Sequence, residues 1–414
     1  MTRQEAAIQY LENNYLQFNR LRYDVVGGKL QIRDADNRWR EMSKQEINSA
    51  VCACAQEFQI NVTAREIITV LQSNLIPSVH PLREYVLACK DYNPSTEIDW
   101  IDLVAQKVTV KPSLLSDDRL WRTCFKKWFV AMVASWLKDE VVNHQVLVLI
   151  GRQGIFKTTW LERLIPPQLR AYCCKLANTT QINKDDRLRL AEFGLINLDE
   201  LDSMSSRELN TMKSIITASD VNERAAYGYT KERKIRLASF CASSNRREFL
   251  TDITGNRRWL PFEVESIQNP FDDIILYERL YAQAKAYVEC GYFAYWFEMD
   301  EIEVLEHHNE KFRALENEEE LLPILFDKPA EGKGEFMTTA EISDRLVTYG
   351  GIKRPMSIRK LNTILERHGF KAARPYVDGK QVRGWLVYKR KQDEIEIKQK
   401  ELANKSQRHE DMLY

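Results

Sequence analysis

The sequence has no excess of charge, few histidines and no closely spaced cysteine pair of the C-x-x-C type. Because its 60 basic residues balance 60 acidic ones, no overall field favours a charged partner, and any nucleic-acid-binding patch has to be local. The eight cysteines lie mostly in apolar stretches, which argues against a disulfide framework and against a zinc site. We therefore expect reduced thiols in a cytoplasmic protein.

Long apolar runs are also missing. The longest, residues 128–137, has about half the length that a membrane-spanning helix needs. The first residues, MTRQEAAIQYLENN, contain no apolar segment of the signal-peptide type. We expect no membrane partner, and 414 residues suffice for two or three domains.

The most informative segment present is VLVLIGRQGIFKTTW, residues 146–160, in which an apolar strand runs into a glycine-spaced loop. Such a loop can turn backbone N–H groups toward an anion, and the helix after it offers the positive end of its dipole. A lysine there can contact phosphate, and a threonine hydroxyl can bind Mg²⁺. The segment predicts a site for ATP and Mg²⁺ that uses five residues, Gly151, Gly154, Lys157, Thr158 and Thr159.

This loop departs from the P-loop pattern G-x-x-x-x-G-K-[ST] at one position. Phe156 stands where the pattern has glycine. If that position needs a positive φ, a bulky residue costs on the order of 1 to 3 kcal/mol, and its ring could crowd the phosphate.

A second strand, GLINLDE at residues 194–200, ends in two acids. We expect Asp199 to hold Mg²⁺ together with Thr158, and Glu200 to orient and polarise the attacking water. The alternative is a strand that happens to end in acids at a turn.

A third strand, residues 237–244, ends at Asn245, which would lie beside Lys157 and Asp199 as a γ-phosphate sensor, although asparagine is also a common turn residue. Just beyond it, Arg257 and Arg258 are candidates for an arginine finger that a neighbouring subunit supplies. The alternative for either arginine is a structural salt bridge.

Two further segments suit nucleic acid. Residues 222–234 predict a hairpin that carries aromatic and basic side chains, a combination that can bind a single strand, although a solvated basic hairpin fits too. Residues 351–390 have eleven lysines or arginines against two acids, and two helices followed by strands indicate a winged helix, which could instead bind protein. The candidate DNA-binding residues are Tyr229, Lys231, Arg233, Lys234, Arg359, Lys360, Lys380 and Arg383.

The predicted fold class is α/β, since short apolar strands alternate with helical stretches around the loop. We predict five segments: an N-terminal mixed α+β domain at 1–100, the P-loop ATPase domain at 101–326, a linker at 327–336, a winged-helix-like domain at 337–390 and a charged tail at 391–414. The pair Asp34 and Asp36 could imitate a polymerase metal site, but turn chemistry explains it better.

The chain resembles the ATPase domain of virulence-associated protein E, which is related to superfamily 3 helicases. The resemblance rests on five segments: GRQGIFKTT, GLINLDE, ERAAYGYTKERK, SSN and TDITGNRRWLPFEV. HPLREY at residues 80–85 is similar to the lead-in of that domain. The resemblance implies an AAA+-like ring ATPase, expected to be a homo-hexamer, that moves along or opens single-stranded or duplex DNA when a phage or other mobile element replicates. Because the motifs match, the resemblance implies the same roles that are given above for the residues that bind phosphate, hold Mg²⁺, orient the water, sense the γ-phosphate and supply the arginine finger. It also implies that Lys231 and Lys234 face DNA. Many relatives also carry a primase, and we expect none in this chain, so a separate primase or initiator is an expected partner. The alternative is a non-catalytic DNA-binding adaptor or replication initiator with a degenerate P-loop.

Overall fold

Two units, Met1–Arg313 and Ala314–Tyr414, make up the computed structural model of the chain. It describes residues 1–112, 118–176, 184–201, 204, 206–223, 232–250, 256–291, 293–315, 317–330, 334–353, 355–377 and 379–410. The fold is mixed α/β, with several sheets and many helices, which confirms the predicted α/β class. Across these residues, no helix is both long and apolar enough to cross a membrane.

The first unit begins with a small sheet and three helices. In chain order these elements are α1 (Arg3–Leu11), β1 (Leu21–Asp24), β2 (Lys29–Arg33), β3 (Trp39–Glu41), α2 (Lys44–Phe58), α3 (Ala64–Leu71) and β4 (Ser78–Val79). The strand order is β3-β2-β1-β4, in which only β1 and β4 run parallel. Each helix starts at a capping box, in which a Thr or Ser side chain and the Glu three residues later satisfy each other's backbone N–H groups.

The Asp34–Asp36 segment is a turn in this sheet. The Asp34 carboxylate accepts a 2.8 Å hydrogen bond from the backbone N–H of Arg38, and Asn37 has a φ of 64°. This geometry agrees with the turn interpretation.

A six-stranded sheet forms the centre of the first unit. The elements that build and surround it are α4 (Pro81–Ala88), α5 (Trp100–Ala105), β5 (Val108–Val110), α6 (Asp118–Leu137), β6 (Val146–Ile150), α7 (Lys157–Arg163), β7 (Cys173–Leu176), α8 (Lys184–Glu192), β8 (Leu195–Leu198), α9 (Ser206–Ile216), β9 (Asp220–Glu223), β10 (Glu232–Ile235), β11 (Ser239–Ser244), β12 (Trp259–Ile267), α10 (Tyr277–Cys290) and α11 (Met299–Asn309). The strand order is β5-β12-β6-β11-β8-β7. All neighbours are parallel except β5, which pairs antiparallel with β12.

Both faces of this sheet are covered, which is why its strands are continuously apolar. All five residues of β6 are buried. Leu147 and Leu149 belong to the hydrophobic cluster that contains α6, while Val146, Val148 and Ile150 belong to the cluster on the other face. The apolar run at residues 128–137 is therefore the buried part of a core helix.

The second unit is built around a central strand. Its elements are α12 (Asn317–Leu325), β13 (Phe326–Asp327), β14 (Glu335–Thr338), α13 (Thr339–Gly350), α14 (Ile358–Arg367), β15 (Lys371–Ala373), β16 (Tyr376–Val377), β17 (Lys380–Gln381), β18 (Gly384–Lys389) and α15 (Gln392–Glu410). Strand β18 pairs antiparallel with β13, β14 and β15, and β16 pairs with β17 as a separate hairpin. The two predicted helices are present as α13 and α14. The predicted strands after them are four, β15 to β18.

Candidate functional site

Lys157 lies at the first position of α7 and is almost fully buried, with 7% of its surface exposed. Its ammonium group donates to the backbone oxygens of Gly151 and Arg152, both at 2.7 Å, and to Oδ1 of Asn245 at 3.1 Å. A buried cation at the start of a helix, next to a glycine-spaced loop, is suited to pair with an anion.

The glycines of the loop are required by its geometry. A Cβ on Gly151 would lie 2.8 Å from the backbone oxygen of Val264, and Gly154 has a φ of 87°. Side chains larger than hydrogen would therefore crowd or strain the loop at both positions.

Phe156 occupies the left-handed region, with a φ of 67°. This is the conformation in which glycine is favoured, so the departure from the pattern carries backbone strain. The Phe156 ring, 37% exposed, packs edge-on against Phe271, with 6.3 Å between the ring centroids.

Three side-chain oxygens meet next to the loop. Thr158 Oγ1 donates to Asp199 Oδ1 at 3.0 Å, and Ser243 Oγ donates to the same oxygen at 2.8 Å. The two hydroxyl oxygens are 3.3 Å apart. A carboxylate with two hydroxyl groups offers only oxygen ligands, which Mg²⁺ prefers. Within the described ranges, no group of three or more His, Cys, Asp or Glu side chains could hold a metal ion.

The parallel register explains why these residues meet. Ser244 pairs with Ile150 and Leu198 pairs with Ala242, so β6, β8 and β11 end at one edge of the sheet. The residues that follow these ends in the chain are therefore neighbours, and open α/β sheets bind ligands outside this edge. Asn245 follows β11, and its side chain reaches Lys157 as predicted from the sequence.

Glu200 follows Asp199 and is exposed to solvent. Its φ of 56° lies in the left-handed region, which is uncommon for a residue with a side chain and is concentrated at functional sites. Thr159 lies half-buried in the first turn of α7.

Further basic groups lie at the same edge, around Glu263, which pairs with Ile150. Lys111 lies 2.7 Å and Arg247 3.8 Å from the Glu263 carboxylate. Burial, together with the positive charge of Arg247, lowers the pKa of nearby Lys311 to about 8. Three cations around one acid make this neighbourhood favourable to anions.

On the other side of the loop, α7 and β7 supply a charge pair. Lys175 lies 2.8 Å from the Glu162 carboxylate. This hydrogen bond raises the pKa of Lys175, and the negative charge of Asp199 contributes to the same shift. Lys175 therefore stays protonated near the oxygen cluster.

Arg257 and Arg258 lie at the opposite edge of the sheet. They precede Trp259, which pairs with the first residue of β6, Val146. With Gln145 and His144 they line a cavity of about 340 Å³. Burial lowers the pKa of His144, and nearby arginines, among them Arg258 and Arg257, lower it further. The structure thus groups Lys157, Thr158, Asp199 and Asn245 without these two arginines.

The predicted basic hairpin is only partly described. Strands β9 and β10 pair antiparallel, which agrees with a hairpin, but its tip, including Tyr229 and Lys231, lies outside the described residues. Arg233 is described only as part of the β10 backbone. Lys234 is half-buried and lies 3.6 Å from the carboxylate of Glu192, which belongs to α8.

In the second unit, an exposed aromatic residue lies in a segment that is rich in exposed basic side chains. Tyr376 in β16 is 76% exposed, and Lys371, Arg374 and Lys380, which are near it in the sequence, are exposed too. Arg383 lies 3.0 Å from Glu366, which connects the β17 end of this hairpin to α14. Arg359 is exposed and Lys360 half-buried in the first turn of that helix.

A comparison with known families decides where the chain belongs. The sequence model of the virulence-associated protein E-like domain matches residues 97–314, which is more than half of the chain. The chain belongs to this family. In this virulence-associated protein E-like chain, the matched segment contains all of the loop, oxygen-cluster and arginine residues described above.

Among solved structures, one similar chain is "The apo structure of NrS-1 C terminal region (305-718)", with 11% identity and a TM-score of 0.42 over 92% of this chain and 99% of that one. A second, "The A form apo structure of NrS-1 C terminal region-CTR(305-718)", has 12% identity and a TM-score of 0.39 over the same shares. TM-scores this low carry no weight for fold or function. Comparison with curated proteins finds no match.

Sequence reasoning missed two residues of this virulence-associated protein E-like chain. The sequence pattern marks Ser243 only as part of a strand that ends in SSN, although its place one position before the buried strand end predicts contact with the neighbouring strand end. Tyr376 lies in the basic segment but is not among the candidate DNA-binding residues. Aromatic residues between basic ones, the criterion applied to residues 222–234, would have found it.

Proposed function

We propose that this chain is a DNA-dependent ATPase of the superfamily 3 helicase type, which works as a homo-hexameric ring and translocates on or unwinds DNA during replication of a phage or other mobile element. The observation that carries the proposal is the meeting of Lys157, Thr158 and Asp199 at one edge of a parallel sheet. The central strand β6 and its loop support an AAA+-like P-loop NTPase core.

The residues fit ATP and Mg²⁺. Gly151 and Gly154 keep the loop open to an anion, and the Lys157 ammonium group can exchange neutral oxygen acceptors for phosphate. Thr158 and Asp199 would hold Mg²⁺, with Ser243 keeping the Asp199 carboxylate in place. When bound, the metal ion would neutralise charge on the β- and γ-phosphates.

Two other residues would act on the reacting groups. Asn245, which already contacts Lys157, would sense the γ-phosphate by donating a hydrogen bond to it from the side-chain amide. Glu200, exposed and next to Asp199, would orient the attacking water and accept its proton.

The two arginines imply a subunit interface. Arg258 precedes Trp259, which pairs with the first residue of β6, while the loop follows the last residue of β6. The four residue steps between these two ends of the strand cover about 13 Å, which is farther than an arginine side chain reaches. Arg257 and Arg258 would therefore act on ATP bound by a neighbouring chain. This arrangement supports a ring, in which one edge of each subunit faces the other edge of the next.

The second unit would hold DNA. Two helices followed by an antiparallel hairpin support a winged-helix-like domain, with α14 as its recognition helix. Arg359, Lys360, Lys380 and Arg383 would contact phosphates, and the exposed Tyr376 ring would stack on a base. Tyr229, Lys231, Arg233 and Lys234 stay proposed contacts on the first unit, where the Glu192 pair weakens the case for Lys234.

A second candidate function rests on Phe156. Its strained conformation favours a non-catalytic DNA-binding adaptor or initiator, in which the loop binds nucleotide weakly. The intact Thr158, Asp199 and Glu200 positions favour the motor.

The affinity for single-stranded DNA, measured with and without Mg·ATP, tests the proposal. A motor couples the two sites, so we expect ATP to change the dissociation constant by about 5- to 150-fold. Glu200→Gln, which should bind ATP without hydrolysing it, keeps the ATP-bound state long enough for the measurement. Equal affinities in both states would support the adaptor instead.

A salt series locates the DNA contacts. Lys380→Ala should lower the slope of log affinity against log salt by about one unit, because one phosphate contact is lost. The exposed Lys90, in the first unit, gives the matched control, and Lys90→Ala should leave the slope unchanged. A slope that is unaffected by Lys380→Ala would remove the hairpin from the DNA interface.

A further inference from the structure

An exposed apolar patch lies beside the phosphate loop. It contains Phe156 and Phe271, whose rings are in contact and which are 37% and 70% exposed, and the exposed Ile274 and Leu276 follow Phe271 closely in the chain. Single exposed apolar residues are common, but a cluster next to a functional site usually has a binding partner.

Phe271 is fixed in position rather than loosely attached. Its backbone N–H donates to the Asn269 side chain at 3.1 Å, and the Arg163 guanidinium lies 5.9 Å from its ring centroid. Arg163 also donates to the backbone oxygen of Asp273 at 3.2 Å. The patch is therefore anchored to α7, the helix that follows the loop.

Phe156 connects the patch to the phosphate site. It is bonded directly to Lys157, and its ring meets Phe271 at an interplanar angle of 79°. Phe271 nevertheless stays 70% exposed, so most of its surface is available to a ligand beside the loop. The contact gives a reason for a phenylalanine in the left-handed conformation, since strain of this kind persists where function uses it.

We propose that Phe271, with Phe156 at its edge, is the stacking surface for the base of the nucleoside triphosphate whose phosphates contact Lys157. This inference rests on the proposed nucleotide-binding function. A base is flat, aromatic and joined through its sugar to phosphates, so one molecule can fill both the loop and the ring surface. Every base has a π-face, so stacking alone discriminates weakly between bases. The site therefore takes nucleoside triphosphates as a class, with ATP and GTP close in affinity.

Equilibrium binding of Mg·ATP and of inorganic tripolyphosphate to the full chain tests this inference, because the two ligands share phosphates but only ATP has a base. Wild type should bind ATP at least about tenfold more tightly. Phe271→Ala should lose about tenfold in ATP affinity and keep its tripolyphosphate affinity, while Phe271→Tyr should match wild type.

Phe156→Gly gives a second measurement. It restores the residue that the loop pattern expects, so it should keep tripolyphosphate binding while the preference for ATP falls. Phe18, 57% exposed with the Arg20 guanidinium 5.5 Å from its ring, is a matched control far from the loop in sequence. Phe18→Ala should leave both affinities unchanged.

Each other outcome has a clear meaning. If wild type binds both ligands equally, or if Phe271→Ala leaves ATP binding intact, the stacking surface is refuted and the phosphate site stands. If Phe271→Ala keeps ATP affinity but no longer assembles, the patch is a subunit contact and the inference is wrong. If wild type binds neither ligand, the proposed function fails and the inference fails with it.

Discussion

Mixing two inactive variants is expected to restore ATP hydrolysis. Lys157→Ala removes the phosphate contact, and the double variant Arg257→Ala, Arg258→Ala removes the arginine pair, so each alone should lose about 10³-fold in turnover. Because the arginines and the loop lie at opposite edges of the sheet, one intact edge from each variant can meet at an interface. About a quarter of the interfaces in an equimolar random mixture combine an intact loop with an intact arginine pair, and that fraction of activity should return.

The control for this experiment is an exposed arginine elsewhere. Arg38→Ala, in the N-terminal turn, should be fully active alone. When it is mixed with the arginine double variant, the ATPase activity of the mixture should equal the sum of the activities of its two components. Steady-state phosphate release and sedimentation are measured on the same samples. Mixed assemblies without activity, or a double variant that is active alone, would refute action across a subunit interface.

Glu200→Gln and Lys157→Ala are expected to abolish turnover for different reasons. Glu200 is exposed and adjacent to Asp199, so its amide variant should lose about 10²- to 10⁴-fold in turnover while ATP still binds. Lys157 is buried in the loop, and Lys157→Ala should lose both binding and turnover. Equilibrium ATP binding and single-turnover hydrolysis separate the two effects.

An exposed glutamate on β12 provides the matched comparison. Glu265→Gln carries the same chemical change on the same sheet and should keep wild-type turnover. Turnover by Glu200→Gln within a few-fold of wild type would show that another group activates the water.

Local sequence signals predicted the strands and loops that build the site. Apolar runs that end in GRQG, DE and N marked β6, β8 and β11, and the parallel sheet then required their ends to meet. The start of helix α2 is likewise marked locally, by the capping box at Ser43 and Glu46. These features depend on neighbours within a few residues in the chain.

Features that depend on distant pairing could not be read in the same way. Arg257 and Arg258 were expected to act from a neighbouring subunit, but only the register of Trp259 with Val146 shows that they lie at the other edge of the sheet from the loop. Lys234 was expected to face DNA, and its contact with Glu192 requires knowledge of where α8 packs. The contact between Phe156 and Phe271 likewise joins segments 115 positions apart in the sequence.

Steady-state ATP hydrolysis by the wild-type chain, measured with and without single-stranded DNA, tests whether the chain is a DNA-dependent ATPase. The Lys157→Ala chain, measured in parallel, supplies the background. A DNA-dependent ATPase should turn over ATP above that background and faster when DNA is added. Turnover equal to that of Lys157→Ala, in a preparation that still binds DNA, would contradict this function.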